Sequence, residues 1–152
     1  ISHKDGVKLF EISDVVVRDN SHEIGCKNVR HICVLYAAHN AGFEYIHGMV
    51  DRIMLCVQIR AEAAYSKSSL TVDEVADRAR VARENISYRV QHGANPTFFN
   101  GMSAEIVLQT YEGDKMTEKI IGVFGVVHPE VLDKFEISYP CSLLEMNLEE
   151  II

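Results

Sequence analysis

The residues with the most chemical promise lie in one stretch, KIIGVFGVVHPEVLDKFEISYPCSLLE (119–145). An apolar run broken by Gly122 and Gly125, followed by His128-Pro129 and a short helical pattern, could make a phosphate cradle. The pair Gly122-x-x-Gly125 lacks the third glycine of a dinucleotide fingerprint and the Gly-Lys-Ser/Thr of a P-loop. Its context reads as an antiparallel hairpin, whereas those loops belong to parallel βαβ units. The glycines therefore read as clearance for a neighbouring element, and His128 as a local cap at a helix start. The histidines His3, His22, His31, His39, His47, His92 and His128 show no His-Glu-x-x-His or other metal-ligand spacing. The cysteines Cys26, Cys33, Cys56 and Cys141 form no C-x-x-C pair, and the last three sit in apolar runs, which fits buried free thiols. No Gly-x-Ser-x-Gly elbow occurs. Carboxylate pairs such as Asp73/Glu74 and Glu149/Glu150 read as solvated faces, and Phe98-Phe99 as a plug over the core rather than a binding platform. These residues assemble no active site.

The elements that would position them follow from periodicity. VKLFEISDVVVRD (7–19) and VRHICVLYAAHN (29–40) read as strands joined by the turn residues of HEIGCKN, an antiparallel pair. GFEYIHGMVDRIMLCVQI (42–59) is the strongest helix. Its apolar side, Ile46, Met49, Val50, Ile53, Met54 and Val57, is wide enough to suggest cover on more than one side. SSLTVDEVADRARVAREN (68–85) carries a Thr71/Glu74 capping box and a narrow stripe of Val72, Val75, Ala79 and Ala82, the pattern of a peripheral amphipathic helix. ISYRVQHG (86–93) returns to strand, and NPTFFNG (95–101) reads as a loop. The next run folds into a hairpin turning within residues 112–117. Pro129 opens a short helix reaching Phe135. The final run alternates as a strand with Leu143, Met146 and Leu148 on one side and a slip at Leu144. The expectation is a single α+β domain over residues 1–152, an antiparallel sheet flanked by helices.

Bulk composition narrows the function class. At 152 residues and 47% hydrophobic, the chain can bury one substantial core. Fifteen Lys and Arg against 22 Asp and Glu leave a net charge of −7, which opposes nucleic acid over the surface as a whole. The segment 60–90 is mixed rather than basic, with Arg60, Lys67, Arg78, Arg80, Arg83 and Arg89 outnumbering its acids by one. No run of about 18 apolar residues or targeting segment is present, so no membrane role is expected and the default is a reducing, cytoplasmic compartment. The first residue is Ile1 rather than Met, which reads as a processed or excised piece.

Taken in order, KLFEISDVV, GFEYIHGMVDRIM, PTFFNGMSAEI, IGVFGVVHPEVLDKFEI and PCSLLEMNL resemble the C-terminal catalytic-like core domain of the phenylalanyl-tRNA synthetase β chain, archaeal and eukaryotic cytosolic type. The resemblance runs from about Leu9 to Leu148, and it rests on colinearity rather than on any single motif. It implies a fold like the class II aminoacyl-tRNA synthetase core, an antiparallel sheet with helices, stripped of catalytic signature residues. It further implies no catalytic residue, cofactor or metal in this domain. ATP and magnesium serve the whole enzyme, whose α chain attaches phenylalanine to tRNA(Phe), and the β chain's module packs against that α chain in an (αβ)2 assembly. The residues agree, because no arginine sits in a recognisable ATP-clamping setting.

Three departures stand out. Asn100 and Met102 replace the Pro and Arg usual in the family around Gly101, 68–85 reads as an insertion, and the family's first core helix would precede the chain. The expected function is a non-catalytic subunit-interface domain of a tRNA ligase. The alternatives are a tRNA-contacting module using Arg78, Arg80, Arg83 and Arg89, with its salt-dependent binding, and a vestigial ATP or amino-acid pocket.

Overall fold

A computed structural model describes residues 6–62 and 85–152. The β-branched runs form the strands expected of them. β1 (Val7–Arg18) and β2 (Cys26–Ala37) make a long antiparallel hairpin, with Val7 opposite Ala37 and Arg18 opposite Cys26. α1 (Phe43–Cys56) follows, then a two-residue strand β3 (Arg60–Ala61), β4 (Ile86–His92), β5 (Phe98–Glu112) and β6 (Lys115–Val127). A six-residue helix α2 (Pro129–Lys134) leads to β7 (Cys141–Asn147). The seven strands form one sheet in the order β1-β2-β7-β6-β5-β4-β3. Every neighbouring pair is antiparallel except β3 with β4, so the sheet is mixed rather than wholly antiparallel. The domain is α+β. The amphipathic pattern at 68–85, with Arg78, Arg80 and Arg83, lies outside the described residues apart from Asn85.

One face of the sheet holds the core. Ile46, Val50 and Met54, one helical turn apart on α1, pack on Ile32, Val34, Tyr88, Ile106, Leu108, Ile121, Phe124, Leu144 and Met146. Met49, Ile53 and Val57 are only partly buried, so the helix is covered on one side and its buried stripe is narrower than its composition suggests. Two hydrogen bonds tie it down. The Tyr88 hydroxyl donates to Asp51 Oδ1 at 2.7 Å, and the buried Ser142 hydroxyl donates to the Ala41 carbonyl.

Both helices stop in the same way. The N–H groups of Gln58 and Ile59 bond back to the carbonyls of Leu55 and Met54, with Gln58 left-handed at φ 64°. Glu136 and Ile137 repeat this at the end of α2, with Glu136 at φ 56°. These are Schellman ends built without the usual glycine. Packing of Ile59 and Met54 in the same core compensates the first.

The glycines of the opening stretch do clear space. A Cβ on Gly122 would lie 2.6 Å from the Glu145 carbonyl oxygen and 2.9 Å from Met146 Cβ. One on Gly125 would lie 2.5 Å from the Met102 oxygen and 2.9 Å from the Phe98 ring. Phe98 is a core plug at 3% exposure, but NPTFFNG is not all loop, because β5 already begins at Phe98 and kinks between Phe98 and Ser103. Asn100 and Met102 both sit exposed in that kink.

Two further expectations are corrected. On β7 the buried face is Ser142, Leu144 and Met146, continued by Leu148 just past the strand, and the residue out of step is Leu143, not Leu144. A buried serine on the core face disguises the alternation. Cys56, placed in an apolar run, is exposed because it lies on the outer side of α1.

Candidate interaction surface

The face of the sheet turned away from α1 carries the polar side chains. Strand register aligns Glu11, Cys33, Glu145, Val123, Glu105 and Gln91 in one row across six strands. Beside it, Arg89 on β4 grips Glu118 on β6 with two bonds, Nε to Oε1 at 3.1 Å and Nη2 to Oε2 at 3.0 Å. Its Nη1 donates to Gln91 Oε1 at 2.7 Å. The band continues from Gln109 Nε2 to Glu118 at 3.0 Å, from Ser87 Oγ to Gln109 at 2.9 Å, and from Gln91 Nε2 to Glu105 at 2.8 Å. The Arg89 hydrogen bonds hold the Glu118 carboxyl below its ordinary range, and Glu118 raises Arg89 in return. Farther along, His31 Nδ1 lies 3.0 Å from Glu145 Oε1. Burial, then the charges of Glu145 and Glu11, push the Cys33 thiol up, which keeps it protonated and unreactive.

This arrangement joins strands rather than preparing chemistry. Of the four arginines expected to meet RNA, Arg89 is described, and its guanidinium is already neutralised by Glu118. A nucleoside triphosphate laid on this face would meet Glu11, Glu105, Glu118 and Glu145, so the face does not fit ATP. Among the described residues no group of three or more His, Cys, Asp or Glu is placed to hold a metal ion, magnesium included. A shallow open depression lined by Asp14, Arg30, Leu148, Glu149 and Ile152 is likewise occupied by its own charges. Arg30 pairs with Asp14, and the Arg30 backbone N–H donates to Glu149 at 3.0 Å.

What the described residues offer instead is exposed apolar surface, including two stretches that stand out. On β1 the side chains alternate between faces, yet both faces are apolar. Leu9 looks to the polar side, while Phe10, Ile12 and Val16 look to the α1 side beyond the reach of that helix. Phe10 is 75% exposed and Val16 72%. The second place is the excursion 129–140 between β6 and β7. No residue of α2 is buried, and Phe135 (73% exposed), Ile137 and Tyr139 face solvent. Tyr139 is braced edge-on by His39, with centroids 5.7 Å apart. Its entry is fixed by His128, whose Nδ1 accepts from the Glu130 N–H at 3.3 Å, the capping role its position suggested. Sequence reasoning passed over both patches, although the pattern of β1, apolar at odd and even positions alike, was a legible signal.

Sequence comparison then decides the family. The family model for the phenylalanyl tRNA synthetase beta chain CLM domain matches residues 1–148. The chain belongs to that family. It is 40% identical over 146 residues to the cytoplasmic phenylalanine–tRNA ligase beta subunit of Arabidopsis thaliana, an alignment covering 96% of this chain and 21% of that protein. The human beta subunit is 37% identical over 142 residues, 93% of this chain and 19% of that protein. That of Saccharomyces cerevisiae is 30% identical over 147 residues, 97% and 22% respectively. The chain thus spans about a fifth of the curated relatives it matches. As a CLM domain it presents a carboxylate-rich polar face and exposed apolar stretches on β1 and in 129–140.

Proposed function

We propose that this domain is the catalytically inert, catalytic-like core of a phenylalanine–tRNA ligase β chain, situated toward that chain's C-terminal end and built like a class II synthetase core. Its work is to dock the α chain in an (αβ)2 assembly of the archaeal and eukaryotic cytosolic type. In that assembly the α chain, with ATP and magnesium, attaches phenylalanine to tRNA(Phe) in the cytoplasm. The eukaryotic relatives support the type.

The observation that carries the docking role is the excursion 129–140. It spends a helix and a Schellman turn on holding Phe135 and Ile137 in water, a conformation that an isolated domain has no reason to stabilise. Nothing comparable supports ATP or tRNA binding, since the one described arginine of the RNA reading is spent on Glu118.

The test is size-exclusion chromatography with light scattering on this chain mixed with the α chain. Co-elution as a defined complex is expected, and the Phe135→Glu/Ile137→Glu variant should elute separately while keeping its thermal transition. Phenylalanine-dependent ATP–pyrophosphate exchange by this chain alone would overturn the reading.

A further inference from the structure

The entry to the 129–140 excursion rests on one side chain. Pro129 has no N–H to satisfy, and the N–H groups of Val131 and Leu132 both donate to the His128 carbonyl, at 2.9 and 3.2 Å. The Glu130 N–H is the first-turn donor left over, and His128 Nδ1 accepts it. An imidazole nitrogen that accepts carries no hydrogen, so the neutral ring holds its proton on Nε2. The His128 N–H in turn donates to the Thr97 carbonyl at 2.9 Å, and the ring leans on Phe99, with centroids 6.1 Å apart. α2 has six residues and none is buried, so no core packing stands in for this cap.

We propose that His128 is a proton-operated latch on this excursion: neutral, it holds α2 wound, and protonated, it releases the first turn and weakens docking through Phe135 and Ile137. A proton taken from solvent onto Nδ1 turns the acceptor into a donor facing a second donor, so the bond to Glu130 breaks. The positive charge then sits at a helix N-terminus, where the backbone N–H groups repel it. The surroundings leave the ring to respond alone. Residues 93–103 and 120–127, which meet at Phe98 and Val127 beside it, have no titratable side chain. β7 begins at Cys141, whose thiol is pushed up by burial and stays neutral. On α2 itself the charged groups are Glu130, Asp133 and Lys134, and among the described residues none forms an ion pair with His128. The Glu130 carboxylate gives an imidazolium somewhere to turn, which draws the ring off the N–H rather than restoring the cap. The effect on docking rests on the role proposed above for 129–140; the local step does not.

Two measurements separate the local step from its consequence. The first is NMR of the isotope-labelled chain from about pH 8 to 5, the range in which imidazoles ordinarily titrate. The Glu130 amide should move with the same midpoint as the His128 ring. That movement should vanish in His128→Asn, whose side-chain oxygen caps without titrating, and His128→Ala should show the released turn already at about pH 8. The second is affinity for the α chain at about pH 7.5 and 5.5. It should fall about fivefold more for wild type than for His128→Asn, the scale of losing one cap. Taking the difference removes His39, which braces Tyr139, and the α chain's own groups. A Glu130 amide that stays still while the His128 ring titrates, or moves equally in His128→Asn, would overturn the latch. Equal pH dependence of affinity in the two proteins would overturn its control of docking. Wild type that binds the α chain at neither pH would overturn the docking role, and the spectra alone would then decide the latch.

Discussion

One phenylalanine at the centre of this sheet and one at its edge make the most informative comparison. Phe124 on β6 is fully buried under α1, stacked on Phe43 and on His47, each at 5.4 Å between centroids. Phe10 on β1 looks to the same side of the same sheet, opposite the core residue Val34, and is three-quarters exposed. The strands do not differ in propensity; the difference is where the helix ends. α1 covers the middle of the sheet and touches its first strand at Lys8, whose Nζ lies 4.9 Å from the centroid of the Tyr45 ring, but leaves Phe10 exposed. The molecule is therefore divided between a region whose apolar groups are satisfied internally and one whose apolar groups the described residues leave exposed.

The comparison can be broken hardest at Gly122. A valine there would run into the backbone of Glu145, which cannot rotate aside, so β6 and β7 must part. Gly122→Val is expected to lose about 3 kcal/mol or more, or to fail to fold, in denaturant titration. Truncating the two phenylalanines sharpens it directly. Phe124→Ala should cost about 3–5 kcal/mol, whereas Phe10→Ala should stay within about 0.5 kcal/mol of wild type in the same titration. Equal losses would mean β1 is covered in the free chain. Smaller still is the gain at the helix end. Gln58→Gly relieves a left-handed side-chain residue without touching the core, and should raise stability by about 1 kcal/mol in thermal unfolding.

The mildest test concerns the polar face. Because Arg89 depresses Glu118 in the folded state, the pair's contribution is present above the unfolded carboxylate pKa and fades as pH falls through the lower folded value. On acidification from neutrality, wild type should lose more stability than Glu118→Gln, and 2 M salt should shrink the difference between them.

Much of this was legible in the sequence, and the failures are instructive. β1, β2, β4 and the β5–β6 hairpin announced themselves through β-branched runs and turn residues, and Pro129 marked its helix. What failed was everything set by a distant partner. β7 was misphased because Ser142 reads as solvent-facing until the Ala41 carbonyl, about a hundred residues away, is seen to accept its proton. The parallel pairing of Arg60 with Ser87 has no local signature. Gln58 and Glu136 gave no hint of left-handed backbone, because the pull comes from Ile59 and Ile137 reaching back over the preceding turn. The surface followed the same rule. Arg89 looked free for phosphate in a composition count, and its answer, Glu118, lies on another strand 29 residues on.

The strand order carries a consequence in time. β7 comes last of the seven described strands, yet it lies in the middle of the sheet, with β2 on one side and β6 on the other. As the chain leaves the ribosome, β1 with β2 and β4 with β5 and β6 can each close locally, and neither group touches the other through the sheet until residues 141–147 arrive. Closing contacts such as Val34 with Leu144 span most of the chain, a separation that slows folding. Until then both flanks of the gap are open edges, so the nascent chain is most vulnerable to mispairing before β7 emerges.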